Sequence, residues 1–114
     1  MQFRDLQAQY QVLKSQIDSA VTAVMTDADF ISGRKVSELE EQLAAYVGVK
    51  HCISCGNGTD ALTLALMTLD IGAGDAVFVP DFTFFASGET VAYEGAVPIF
   101  VDVREDTLNI CSDS

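Results

Sequence analysis

The feature that most constrains the fold is an alternation of short apolar segments with longer helical ones in the second half of the chain. The apolar segments are HCIS at 51–54, AVFV at 76–79 and AVPIFVDV at 96–103. The stretches between them, 59–69 and 83–95, have the length and composition of helices. Strands that alternate with helices are typical of an α/β fold with a parallel sheet. We therefore predict strand–helix units from residue 51 to residue 101.

The first half of the chain predicts two helices. Apolar residues recur every three or four positions between Leu6 and Val24, which predicts a helix over 6–26. Ser37 and Glu40 match a capping box and predict a second helix over 37–47, followed by Gly48. The 114 residues contain no linker, so we expect no second domain.

Charge and cysteine content narrow the possible partners and the compartment. The formal net charge is -11 and there are only 6 Lys and Arg residues, so we expect no nucleic-acid partner and no anionic membrane partner. No apolar run reaches the roughly 18 residues of a membrane span, and the start of the chain does not resemble a signal peptide. The 3 cysteines are an odd number, which favours reduced thiols and a cytoplasmic location.

A glycine-rich turn, GNGTD at 56–60, lies between the first predicted strand and the next helix; we call it the glycine turn. Backbone N–H groups in such a turn, beside the positive end of a helix, can bind a phosphate. The alternative is a plain corner in which Asn57 or Thr59 caps the helix. The Asp60 carboxylate would repel a phosphate unless it points away and only its N–H is used. The residues by themselves leave both interpretations open.

Two further groups of residues suggest chemistry. Cys52 and Cys55 could bind a metal or form a redox pair, but residues three apart in a strand point to opposite faces, and a zinc site needs about four ligands. We expect structural thiols and no metal. The aromatic residues Phe82, Phe84 and Phe85 follow the second predicted strand, at the sheet edge where ligands bind in open α/β sheets. Core packing is the alternative for most of these rings.

Several segments together resemble a known family. FISGRKVSELEEQLAAYVGVKHCISCGNGTDAL and GAGDAVFVPDFTFFASGETVAYEGAVPIFVDV follow each other with familiar order and spacing. They resemble the start of the DegT/DnrJ/StrS family of sugar aminotransferases, which are pyridoxal-phosphate (PLP) enzymes of fold type I. The resemblance covers almost the whole chain. It implies the N-terminal portion of the large PLP-binding domain, with helices flanking a mainly parallel sheet that is incomplete as given.

The resemblance also implies site residues. Gly58, Thr59 and Asp60 match the residues that hold the PLP phosphate through backbone amides and the Thr hydroxyl, with Asp60 contributing its N–H. Phe84 matches the aromatic residue that stacks on the pyridine ring. Gly33 matches, more weakly, a residue near the sugar-binding region.

No catalytic residue is implied within the chain. In the family, the lysine that binds PLP covalently and the acid that faces the pyridine nitrogen lie downstream of residue 114. The lysines present, Lys14, Lys35 and Lys50, lack the family's lysine context. We therefore expect this chain to be inactive by itself. The resemblance also implies that the first strand pairs with a strand supplied later, while the next two pair with each other. We therefore expect the isolated chain to be marginally stable, oligomeric or locally rearranged.

The implied reaction is transfer of an amino group from L-glutamate to a keto group of a nucleotide-linked sugar. The resemblance favours a 3-keto UDP-sugar of lipopolysaccharide or O-antigen synthesis, and a homodimer. Two alternatives stay open. One is a sugar dehydratase or a sensor of the same fold, and the other is a non-enzymatic acidic interaction module that never binds PLP.

Overall fold

The computed structural model of the protein describes residues 3–112 and confirms the α/β class. Four helices and two strands occur in the order α1 (Leu6–Asp27), α2 (Arg34–Val47), α3 (Gly58–Thr68), β1 (Ala76–Pro80), α4 (Ala86–Tyr93) and β2 (Val97–Val101). The chain divides into two compact units, one ending at Ser54 and one beginning at Cys55. The prediction of a single domain stays a prediction.

The second helix begins three residues earlier than predicted. α2 starts at Arg34, whose backbone N–H donates to the Asp29 carboxylate at 2.8 Å, and Gly33 is its N-cap residue. The capping box of Ser37 and Glu40 is therefore wrong: Ser37 lies inside the helix. The Asp29 side chain, which precedes the helix, accepts a hydrogen bond from the first residue of α2. The capping-box pattern gave no sign of this contact.

Residues 51–54, predicted as the first strand, do not form a strand here. A strand needs a neighbour to pair with its N–H and C=O groups, and no segment within 3–112 supplies one. Residues 51–54 do have the apolar pattern of a strand. Whether they form one depends on a second segment, distant in the sequence, that pairs with their backbone. The prediction of strand–helix units therefore holds only from β1 onward.

The other two predicted strands pair with each other, as expected. β1 and β2 are parallel, with Ala76 opposite Val97 and Pro80 opposite Val101. α4 connects them and covers one face. The small core consists of Val79, Val91 and Ala96, against which Leu66 of α3 packs.

α3 was expected to be buried because it is apolar almost all round. Within the part of the chain described, it has no buried residue, and Leu62, Leu64 and Met67 are 44%, 47% and 53% exposed. Among residues 3–112, Leu66 is the α3 residue that packs against the core, and most of the helix surface stays exposed, so the expectation is wrong for this part of the protein. A search of the helices within 3–112 found none long and apolar enough to cross a membrane.

Candidate functional site

The glycine turn is closed by a reciprocal pair of hydrogen bonds between Asn57 and Asp60. Asn57, in an extended conformation, is the N-cap residue of α3, and its Oδ1 accepts the Asp60 backbone N–H at 3.0 Å. Its Nδ2 donates to Asp60 Oδ2 at 3.1 Å. Asn57 is thus the cap that the sequence had offered as one of two candidates, and α3 begins immediately after it.

The same pair fixes where the Asp60 carboxylate lies. A Cβ added to Gly56 would lie 2.7 Å from Asp60 Oδ2, so the carboxylate is folded back over that glycine. A larger residue at position 56 would have to displace this carboxylate. The Asp60 N–H, which the resemblance assigns to a phosphate, is occupied by Asn57. Its part in phosphate binding stays a prediction, and its observed role is to close the turn.

Gly58 and Thr59 leave the start of α3 open. Their N–H groups belong to the first turn, which has no intrahelical acceptor, and no hydrogen bond to either is found among residues 3–112. A Cβ at Gly58 would meet nothing within 4 Å, so the space beside it is free. Thr59 is half-buried, and within the same range its hydroxyl has no partner. These groups lie at the positive end of a helix and can bind an anion.

Phe84 lies between β1 and α4 and is 76% exposed. Phe82 and Phe85 are exposed to a similar degree, 69% and 75%, so within residues 3–112 these rings are not packed in a core. Core packing in the whole protein stays an open alternative for them. Phe84 lines an open cavity of ≈ 530 Å³. The other lining residues are mostly apolar, with carboxylates from Asp81 and Glu89. An exposed aromatic face of this kind is available to a flat ligand.

The glycine turn does not line the Phe84 cavity. Leu62 and Leu66 of α3 line a second cavity together with residues of β1 and α4, among them Val77 and Val91. Within residues 3–112 the glycine turn and Phe84 are therefore separate surfaces.

Gly33 is buried and tightly enclosed. A Cβ there would lie 2.4 Å from the carbonyl oxygen of Asp29 and 2.8 Å from its Oδ1. Its φ of -70° is open to any residue, so the need for glycine comes from space and not from backbone conformation. The left-handed residue in this corner is its neighbour Ser32, with φ of 49°. A substrate role for Gly33 stays a prediction.

The cysteines and lysines show other contacts. All three cysteines are free, and Cys55 Sγ donates to the Asn57 carbonyl at 3.3 Å. Within 3–112 no group of three or more His, Cys, Asp or Glu residues is arranged to hold a metal ion. Lys14 is paired with Asp18, which raises the pKa of the lysine, and Lys35 is paired with Glu38 at 2.6 Å.

Sequence reasoning missed one contact next to the glycine turn. The Glu40 carboxylate accepts hydrogen bonds from both the backbone N–H and the hydroxyl of Ser54, each at 2.7 Å. These bonds, the backbone one first, lower the pKa of Glu40. The two residues are 14 positions apart, so no local pattern could indicate the contact.

Comparison with known proteins decides the family. A sequence model described as the DegT/DnrJ/EryC1/StrS aminotransferase family matches residues 11–114. The chain belongs to this family. The resemblance seen in the sequence is therefore confirmed.

One curated relative is the UDP-2-acetamido-2-deoxy-3-oxo-D-glucuronate aminotransferase of Pseudomonas aeruginosa. It is 46% identical over 110 residues, which cover 96% of this chain and 31% of the relative. The chain thus spans about a third of the length of this member of the family.

Solved structures of the family have the same fold. A DegT DnrJ EryC1 StrS aminotransferase from Brucella abortus superposes with a TM-score of 0.95 at 48% identity, over 99% of this chain and 30% of that one. DesV of S. venezuelae, solved in complex with a ketimine intermediate, gives a TM-score of 0.92 at 36% identity, over 96% of this chain and 30% of that one. The fold is that of part of a fold type I aminotransferase.

Proposed function

We propose that the whole protein is a PLP-dependent aminotransferase that moves an amino group from L-glutamate to a keto group of a nucleotide-linked sugar. The observation that carries the proposal is the open start of α3 at Gly58 and Thr59, inside the region that matches the family. A helix start with unpaired N–H groups and a free hydroxyl suits a phosphate monoester such as that of PLP.

The residues present fit the cofactor. The N–H groups of Gly58 and Thr59 and the Thr59 hydroxyl would hold its phosphate. The Asp60 carboxylate, which would repel that phosphate, is tied to Asn57 and folded over Gly56. Bound PLP supplies an electron sink that stabilises a carbanion at the carbon bearing the amino group.

Phe84 has a separate part in the proposal. Its exposed ring would lie against the pyridine ring of the cofactor and fix the plane of that ring. Orientation of this kind favours the reaction because the bond to be broken must align with the π system of the cofactor. The lysine and the acid that act on the cofactor would come from outside residues 1–114.

For the sugar, we propose a 3-keto UDP-sugar of lipopolysaccharide or O-antigen synthesis, processed by a homodimer in the cytoplasm. A relative named as an aminotransferase of a UDP-linked 3-oxo sugar supports the choice of substrate class. The acidic composition, with a net charge of -11, gives no support to a nucleic-acid partner.

The test uses the purified whole protein. We expect the protein to bind PLP and to convert a 3-keto UDP-sugar into the amino sugar when glutamate is present. Mass spectrometry of the product measures the conversion. GDP- and dTDP-linked keto sugars serve as comparison substrates. Loss of water from the sugar without gain of nitrogen would replace the proposal with a dehydratase. Absence of PLP binding would leave the interaction module as the better interpretation.

A further inference from the structure

Glu40 makes a contact that the proposed reaction does not use. It lies on α2 and accepts both the N–H and the hydroxyl of Ser54 on a single oxygen, Oε1, at 2.7 Å each. Hydrogen bonds to an ionised carboxylate are roughly twice as strong as neutral ones. Ser54 is therefore anchored to α2 by two charge-assisted bonds.

Glu40 provides the hydrogen-bond acceptor of the Ser54 backbone. Residues 51–54 form no strand among residues 3–112, and within this range the Ser54 N–H donates to the Glu40 carboxylate. The Ser54 hydroxyl donates to the same oxygen, so the backbone and the side chain of Ser54 are both held by α2.

The anchored residue lies directly before the glycine turn. Only Cys55 and Gly56 separate Ser54 from Asn57, the cap of α3. Two intervening residues limit the span from Ser54 to Asn57 to roughly 10 Å even when the chain is fully extended. Fixing Ser54 therefore restricts the positions that the start of the turn can take.

We propose that Glu40 is a positioning residue for the glycine turn, acting through its two hydrogen bonds to Ser54. The proposal rests on the proposed function, because the turn is the phosphate-binding element assigned there. Glu40 does not touch the cofactor. By holding Ser54 it orders the backbone that carries the Gly58 and Thr59 N–H groups, so less ordering is needed when the phosphate binds.

Three variants of the whole protein test this role. Glu40→Ala removes both bonds, Ser54→Ala removes the hydroxyl bond alone, and Glu40→Gln keeps an oxygen acceptor without its charge. Glu41→Ala is the matched control, because Glu41 is next to Glu40 on α2 and its side chain has no hydrogen-bond or ion-pair partner among residues 3–112. The other titratable side chains that line the small cavity beside Glu40 are Glu41, Lys50, His51 and Cys52.

Two readouts separate positioning from general stability. The first is hydrogen–deuterium exchange of residues 51–58 in cofactor-free protein, and the second is the Kd for pyridoxamine phosphate, which forms no covalent bond with a lysine. Glu40→Ala should speed exchange of this segment and raise the Kd about tenfold. Glu40→Gln should raise the Kd by about threefold, and Ser54→Ala should fall between wild type and Glu40→Ala. Glu41→Ala should match wild type in both.

The proposal would be overturned if Glu40→Ala had the exchange rates and the Kd of wild type. It would also be overturned if Glu40→Ala and Glu41→Ala weakened binding of pyridoxamine phosphate equally. If Glu40→Ala fails to fold, Ser54→Ala and Glu40→Gln decide the question by the same two readouts. Wild-type protein that does not bind pyridoxamine phosphate would refute the proposed function. The exchange measurement would still report whether Glu40 orders the segment.

Discussion

Removal of the Thr59 hydroxyl tests the glycine turn most directly. Thr59→Val keeps the branched shape at a half-buried position and deletes one oxygen. Within 3–112 that oxygen has no protein partner, so its loss leaves no donor or acceptor of the protein unpaired. We therefore expect the free energy of unfolding of the cofactor-free protein to stay within about 0.5 kcal/mol of wild type.

The effect on the cofactor should be much larger. A hydrogen bond from a hydroxyl to a charged phosphate contributes about 1.5–3 kcal/mol. Its loss corresponds to a roughly 10- to 150-fold higher Kd. Thr59→Ser, which keeps the oxygen, should stay close to wild type.

The assay is a fluorescence titration of the whole protein with pyridoxamine phosphate, so that covalent attachment to a lysine does not mask the lost bond. Thr63→Val is the matched control, since Thr63 is also half-buried and lies one turn further along α3. A Thr59→Val protein with the Kd of wild type would refute the assignment of this hydroxyl to the phosphate. Equal weakening by Thr63→Val would show that the effect belongs to the helix and not to the site.

Three further predictions concern the frame of the site, each measured on the whole protein. Gly33→Ala should lower the free energy of unfolding in urea by about 1–3 kcal/mol, because its Cβ would meet the Asp29 backbone; wild-type stability with weaker sugar binding would instead favour a substrate role. Asn57→Ala should lower the free energy of unfolding by about 1 kcal/mol through loss of the α3 cap, and Asn57→Ser should restore most of it; equal thermal unfolding of all three proteins would contradict this. The hydrogen bonds from Ser54 lower the pKa of Glu40 in the folded protein, so the stabilisation from this carboxylate is present above the ordinary glutamate pKa and is lost as the pH falls through the lower folded value. Thermal unfolding between about pH 3 and about pH 6 should show a smaller acid-side loss of stability in Glu40→Gln than in wild type. The loss should not vanish, because the pKa values of Asp18, Glu38 and Asp106 are also lowered in both proteins.

Several elements could be predicted because their determinants are local. The period of α1 and the cap at Asn57 depend on residues within a few positions of each other, and both are present in the structure. The strand–helix–strand pattern predicted a parallel sheet, and the family resemblance implied that β1 and β2 pair with each other, as the structure shows. The family could be recognised for a related reason: its motifs keep their order and spacing along the chain.

Other features could not be predicted, because they depend on neighbours distant in sequence or absent. Residues 51–54 have a strand-like pattern, but no strand pairs with them among residues 3–112. α3 has the composition of a buried helix, but none of its residues is buried within the same range. In both cases the local sequence was read correctly, and the missing partner determined the outcome.

The sequence by itself determined the α/β class, the positions of most helices, the glycine turn and the family. The tertiary structure alone decided three further points. It placed the Asp60 carboxylate over Gly56, enclosed Gly33 against Asp29, and brought the Glu40 carboxylate to Ser54. The physical reason is that a change of a few tenths of an ångström between two atoms can make or break a hydrogen bond or a close contact. Chain folding sets those distances, whereas local residue patterns set only which elements form.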